Sequence, residues 1–189
     1  MRIGILAVQG AFAEHAQALG RLGADCVELR KRSDIAGLDG LILPGGESTV
    51  QGKLLRELDM FDALRREIAG GLPVLATCAG LILLSERIAN DENRYFATLP
   101  VCVRRNAYGR QLGSFQAVSD VKGIGDFGMM FIRAPYVESV GEDVDVLARV
   151  DGRIVAVRYK NQLGMAFHPE LGGDDRIHKM FLESIRISR

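Results

Sequence analysis

The chain has 189 residues, with 24 Lys+Arg against 24 Asp+Glu, 48% hydrophobic and 25% charged residues, and three cysteines. That length suits one domain with a sizeable core, and the apolar and charged fractions exclude wholesale disorder. Zero net charge argues against nucleic acid as the main partner, apolar runs such as 80–84 are too short to span a membrane, and an odd cysteine count is not a disulfide framework.

Residues 2–8 form an apolar run ended by Gln9-Gly10, the pattern of a strand buried on both faces. The run is too short for a signal peptide and no small-residue cleavage site comes after it, so the expected compartment is the reducing cytoplasm. Ala13, Ala16, Ala18, Leu19 and Leu22 then predict a helix up to Gly23. Strands are predicted at 25–29 and 41–43, the second cut off by Pro44-Gly45-Gly46. A helix over about 49–69, a strand at 73–77 and a helix at 79–87 come next. This alternation implies parallel strands joined by right-handed crossovers, an α/β fold arranged as a three-layer α/β/α sandwich.

From 99 to 167 the apolar runs become short and β-like, at 99–103, 114–120, 128–132, 145–150, 153–159 and 163–167. They add mixed or antiparallel strands to a mostly parallel central sheet. Asp151-Gly152 between apolar runs is a hairpin signal. The chain closes with a helix over 174–187, with Ile177, Met180, Phe181 and Ile185 as its buried stripe and Asp174 or Asp175 as its N-cap. No repeat, linker or low-complexity tract divides the chain, so residues 1–189 are read as a single domain.

In open α/β sheets, ligands bind beyond the carboxyl ends of the strands. Cys78 stands between a buried strand and a helix, with Ala79 and Gly80 small enough for a sharp turn. This is the logic of a nucleophile elbow, where a helix N-terminus favours a thiolate and turn N–H groups can face an oxyanion. A small buried core residue is the plain alternative. His168 and Glu170 end the run 163–167. In an extended segment they share a side, so the carboxylate can orient the imidazole for a nucleophile, as against an ordinary solvated turn. Cys26 and Cys102, inside strand-like runs, are expected to be core residues, and His15 and His178 are expected on helix surfaces. With no His-Glu-x-x-His and no paired Cys spacing, no metal site is expected. Gly123-Ile124-Gly125-Asp126-Phe127-Gly128 matches a dinucleotide fingerprint, but residues 129–135 behind it read as a strand ended by Pro135, so a glycine-rich turn is expected instead. Pro44–Thr49 lacks the Lys of a phosphate-binding loop, and its glycines suit an oxyanion or a carboxylate.

Leu43-Pro44-Gly45-Gly46-Glu47-Ser48-Thr49, Thr77-Cys78-Ala79-Gly80-Leu81, Arg105-Asn106-Ala107-Tyr108-Gly109-Arg110-Gln111, Phe131-Ile132-Arg133-Ala134-Pro135 and Phe167-His168-Pro169-Glu170-Leu171 occur in order, after Val8-Gln9-Gly10-Ala11. Together they resemble the class I (triad) glutamine amidotransferases, and within them the family of glutaminase subunits of pyridoxal 5′-phosphate synthase. Ala76 replaces the first glycine of the elbow pattern often seen in this class, and Gly172-Gly173 makes the entry to the last helix unusually glycine-rich.

The resemblance implies a flavodoxin-like fold and hydrolysis of L-glutamine to L-glutamate and ammonia, with no cofactor. By the same carry-over Cys78, His168 and Glu170 form the catalytic triad, and Gly45, Gly46 and Ala79 the oxyanion hole. Gly46, Glu47, Ser48, Arg105, Ile132 and Arg133 bind L-glutamine, Ile132 through its backbone. The implied partner is a synthase subunit that accepts the ammonia and builds pyridoxal 5′-phosphate (vitamin B6). Docking of that subunit is implied to complete the oxyanion hole, with Gln9 and Gly10 at the contact. The competing readings are a glutaminase serving another acceptor such as imidazole glycerol phosphate synthase, a Cys hydrolase of amides or esters, and a non-catalytic binding module.

Overall fold

The apolar runs of the N-terminal half become strands, buried on both faces in the middle of the sheet and partly exposed at its edge over Asp25–Leu29. In the computed structural model, which describes residues 1–106 and 113–187, β1 is Arg2–Leu6, β2 Asp25–Leu29, β3 Gly40–Leu43 and β4 Val74–Thr77. Every residue of β3 and β4 is buried, as a two-sided strand requires. The helices between them are α1 Phe12–Arg21, α2 Ser48–Glu57 and α3 Phe61–Ala69, and α4 Ala79–Leu84 comes after β4. The helix expected over 49–69 is therefore two. Asp59 adopts a left-handed φ of 54°, and the chain turns there before Met60 enters the core. The helix expected over 79–87 stops at Leu84, because Ser85–Ile88 leaves as strand β5 to pair in parallel with β6, Leu99–Arg104.

The remaining strands are β7 Ser114–Val121, β8 Gly125–Ile132, β9 Tyr136–Val140, β10 Asp145–Val150, β11 Arg153–Tyr159 and β12 Gln162–Met165. Strand β9, directly after Pro135, is not among the elements that the apolar runs predict. The Asp151-Gly152 hairpin forms between β10 and β11, with φ of 49° and 77° at the two turn residues. The fingerprint-like glycines lie in the β7–β8 turn and in β8 itself, so no helix opens there. Helix α5, Arg176–Ile187, starts two residues later than expected. The Asp174 carboxylate accepts from the Arg176 N–H, and the Asp175 carbonyl takes the helical bond from Lys179.

Among the described residues, one ten-stranded sheet runs β2-β1-β3-β4-β12-β11-β9-β6-β5, with β10 beside β11, while β7 and β8 form a separate ribbon. The β2-β1-β3-β4-β12 section is parallel throughout, and β11 is antiparallel to β12, β10 and β9. A side chain on Gly40 would meet Ile185 and Phe181 of α5, and one on Gly164 would meet Leu81 of α4. Gly164 and Leu43 both pair with Ala76, and Leu43 faces opposite to Gly40 along β3, so α4 and α5 cover opposite faces. His15 of α1 bonds His178 of α5, so these two helices share a face. The parallel order and two helical layers make the expected α/β/α sandwich. Truncating a fully buried side chain between the layers, such as Leu75, would cost about 2–5 kcal/mol.

Candidate active site

β3, β4 and β12 are parallel neighbours, so their carboxyl ends lie along one edge. Each strand hands over there to one of the segments singled out in sequence. Cys78 leaves β4 with φ 47° and ψ −100° and caps α4. A non-glycine residue in that region stores about 1–3 kcal/mol of strain. The Cys78 N–H donates to the Met165 carbonyl of β12 at 2.8 Å, which fixes the turn against the neighbouring strand. The thiol itself is nearly buried.

His168 lies just beyond β12, and its N–H donates to the Met130 carbonyl of β8 at 2.8 Å. Its Nδ1 is 2.7 Å from Glu170 Oε1. The expected pairing is present, but it is made inside a short 3₁₀ turn over Pro169–Leu171 rather than along an extended segment. Burial opposes charge on the ring, yet hydrogen bonds to Cys78 and Glu170, with the charges of both, outweigh it. The pKa is raised from 6.5 to about 10. The imidazole sits close against the loop after β3, its Cε1 edge nearest Gly45. A Cβ on Gly45 would stand 2.3 Å from His168 Cε1, so glycine is required for the ring to sit there.

That loop is fastened at every step. The Gly45 N–H donates to Thr77 Oγ1 at 3.0 Å, and the Gly45 carbonyl accepts from the Ala11 N–H at 3.0 Å. The Glu47 N–H donates to Gln9 Oε1 at 2.8 Å, while Gln51 Nε2 donates to the carbonyls of Gln9 and Pro44. Gly10 has φ 107°, and a Cβ there would lie 1.9 Å from the Gly45 oxygen. Gln9 and Gly10, the residues expected at a partner contact, thus pack directly against the glycine loop.

A cavity of about 420 Å³ opens over Cys78 and His168 and is lined by Gly45, Gly46, Glu47, Ser48, Ala79, Arg105, Ile132 and Arg133. Its polar groups are pre-arranged. Arg105 donates to Asp91 Oδ2 at 2.6 Å and to Glu47 Oε1 at 2.9 Å. Ser48 Oγ is buried without a hydrogen-bond partner. Cys78 Sγ lies 3.9 Å from the Ile132 carbonyl. Arg133 has φ 42° and an exposed side chain at the rim. Residues 107–111 of the Arg105–Gln111 motif lie outside the described residues. A larger hollow, about 740 Å³ and lined by Arg65, Arg66 and Lys160, sits at the opposite ends of β4 and β12. It contains none of the groups above. Among the described residues, no set of three or more His, Cys, Asp and Glu side chains is disposed to hold a metal ion.

His15 and His178 contradict the surface expectation, since both are fully buried. His15 Nδ1 is 2.9 Å from His178 Nε2, and His15 Nε2 is 3.1 Å from Thr77 Oγ1 and 3.4 Å from Glu170 Oε2. Burial, then the nearby histidines, holds the His15 pKa well below 6.5. Burial also lowers that of His178 to about 4, Asp175 opposing and Arg21 reinforcing the shift. Helical spacing carried the signal. His15 falls on one stripe with Phe12, Leu19 and Leu22, and His178 with Phe181, Leu182 and Ile185. Cys102 is buried as expected, and Cys26 is half-buried.

Residues 5–187 match the SNO glutamine amidotransferase family. The chain is 67% identical over 186 residues to a pyridoxal 5′-phosphate synthase subunit PdxT of Desulfitobacterium hafniense (strain DSM 10664 / DCB-2), covering 98% of this chain and 94% of the relative. It is 52% identical over 193 residues to the protein of the same name from Streptococcus pneumoniae (strain CGSP14), covering both chains fully. A crystal structure of a glutamine amidotransferase superposes with a TM-score of 0.93 at 45% identity, covering 97% of this chain and 98% of that one. The PurLQS structure from Thermotoga maritima shares the fold, with a TM-score of 0.65 at 18% identity over 99% and 98% of the two chains.

Proposed function

The chain belongs to the SNO glutamine amidotransferase family, and on that premise we propose how its residues divide the work of releasing ammonia from L-glutamine for pyridoxal 5′-phosphate synthesis. One observation carries the assignment: a strained, nearly buried thiol opens onto the same cavity as an imidazole whose Nδ1 is 2.7 Å from a buried carboxylate.

Cys78 is the nucleophile. Its thiolate attacks the side-chain amide carbon of glutamine, and His168, holding the thiol proton, delivers it to the departing nitrogen. Ammonia leaves and a thioester remains on Cys78. His168 then takes a proton from water, hydroxide attacks the thioester, and glutamate is released with the thiol restored. Glu170 keeps the ring oriented and stabilises its charged form.

The tetrahedral oxygen is stabilised by backbone N–H groups, where one donor is worth about 10²–10³ in rate. Ala79, at the start of α4, supplies one. Gly45 already donates its N–H to Thr77, so of the two loop glycines Gly46 supplies the other. Arg105, locked by Asp91 and Glu47, presents its guanidinium to the α-carboxylate of glutamine. The unpartnered hydroxyl of Ser48, the Glu47 carboxylate and the Ile132 carbonyl receive the remaining polar groups, with Arg133 closing the rim.

Ammonia is a nucleophile only while neutral, and bulk water protonates it. The relatives are named as a subunit of pyridoxal 5′-phosphate synthase, so the acceptor is read as a synthase subunit docked over the cavity. Gln9 and Gly10 link that mouth to the glycine loop, so docking pressure on them reaches the oxyanion donors directly. Free thiols and a thiolate nucleophile suit a reducing cytoplasm. Among the described residues no helix is long and apolar enough to cross a membrane.

The test is glutamate release from L-glutamine, with and without the synthase subunit, for wild type and Cys78→Ala. Release that the subunit stimulates and the substitution abolishes is expected. Equal release without the subunit would overturn the docking requirement. Release by Cys78→Ala would overturn the nucleophile.

A further inference from the structure

Two histidines outside the proposed triad complete a chain of polar groups behind it. His178, His15 and Glu170 are all buried and in line, on α5, on α1 and in the turn after β12. Glu170 spends Oε1 on His168, while Oε2 is buried with no hydrogen bond of ordinary geometry. His15 Nε2 faces it at 3.4 Å. At the far end, His178 Nδ1 is buried with no partner at all.

A contact between two imidazoles needs one N–H and one lone pair, which leaves two arrangements. If His15 donated from Nδ1, its Nε2 lone pair would face the carboxylate, and His178 would bury an N–H with nothing to bond. Both are costly. If His178 donates from Nε2, His15 accepts at Nδ1 and presents an Nε2–H to Thr77 Oγ1 and Glu170 Oε2. The atom of His178 left unpartnered is then a lone pair, the cheaper loss. Both ends of the chain select the same arrangement.

We propose that His15 and His178 are positioning residues for glutamine hydrolysis, both neutral and protonated at Nε2, relaying hydrogen bonds from His178 to His15 to the second oxygen of Glu170. The inference rests on the glutaminase reading above. A carboxylate held at one oxygen can swing about its side-chain torsion, and one held at both cannot. The neutrality matters as much as the bond. A cation at His15 would draw the Glu170 charge away from His168 and weaken its hold on the ring. Burial keeps both rings uncharged at neutral pH. Asp175, the carboxylate nearest in sequence to His178, is occupied by Arg21 at 2.6 Å and so does not charge it. The 3.4 Å contact is long for a resting hydrogen bond and is of the kind that tightens as charge develops next door.

Imidazole nitrogen correlation spectra of the ¹⁵N-labelled wild-type chain read the tautomers directly, without any substitution. Both rings are expected neutral with the proton on Nε2 at pH 7. A proton on Nδ1 of either ring, or a charged ring at that pH, would overturn the proposal. The second arm compares His15→Leu with His15→Gln in the assembled complex with the synthase subunit. Loss of an orienting partner costs about 10–100-fold. His15→Leu is expected to lose that much in kcat with little change in KM for glutamine, and His15→Gln, which keeps an N–H donor near Nε2, to regain most of it. Equal losses in the two variants, or full kcat in His15→Leu, would sink the positioning role. A wild-type complex that releases no glutamate would instead sink the glutaminase reading and leave the tautomer result standing.

Discussion

The parallel and antiparallel parts of the molecule are built by different rules and contribute different things. In β3, β4 and β12 every residue is buried, and the strands end together at one edge. Along β7, exposed and half-buried positions alternate. The fully buried section leaves a side chain no freedom, and it carries Cys78, His168 and the glycine loop. The half-exposed ribbon and the end of β6 carry Ile132, Arg133 and Arg105, which line the cavity above. On the proposed assignment, rigidity goes with bond-making and exposure goes with recognition. The two are stitched together where His168 donates its N–H to Met130 of β8.

That division makes graded predictions. The largest effect is expected at the elbow, where Cys78→Ala should lower kcat by at least ~10³-fold while leaving the melting temperature near wild type. Next is Gly45→Ala, whose methyl would stand 2.3 Å from the His168 ring. Displacing that ring by about 1 Å should cost roughly 10²-fold in kcat. A change confined to KM would show that the loop serves binding alone.

The buried histidines set the third effect, on stability rather than rate. His168 has a raised folded pKa, so its contribution is full below pH 6.5 and is lost as pH rises toward about 10. His178 has a lowered one, so its contribution is full above pH 6.5 and is lost as pH falls toward about 4. That acid limb is worth on the order of 3 kcal/mol. Thermal melts against pH should therefore peak between the two limbs, and a flat profile from pH 4 to 7 would contradict a neutral buried His178.

On the recognition side, Arg105→Lys removes the planar fork while keeping the charge. KM for glutamine should rise about 10-fold with kcat nearly intact, and the opposite split would erase the proposed division between the halves. The smallest effect is expected at Val118, which is 73% exposed on β7. Val118→Thr should change stability by less than about 0.5 kcal/mol in denaturant unfolding.

Much of this is legible in the residues alone. Buried strands announce themselves as continuous apolar runs, and Thr77-Cys78-Ala79-Gly80 announces a tight strand-to-helix turn, because both signals are local. The departures share a cause. The break at Asp59 carries no Gly or Pro, and Ser85–Ile88 becomes a strand only because β6 lies beside it. β9 is hidden behind Pro135. His15 and His178 sit on the apolar stripes of their helices, and their polarity points to the surface where the periodicity of those stripes points inward.

The sequence by itself determined the α/β class, the strand–helix alternation of the first half and the residues that could do chemistry. These depend on periodicity and turn propensity within short windows. Tertiary structure alone decided how far apart those residues end up. Glu170 reaches His168 across a single turn, but His15 reaches Glu170 only because α1 packs against the turn after β12, and His178 reaches His15 only because α1 and α5 share a face. The partner of Glu170 Oε2 is remote in sequence, and only the packing of buried faces brings it there.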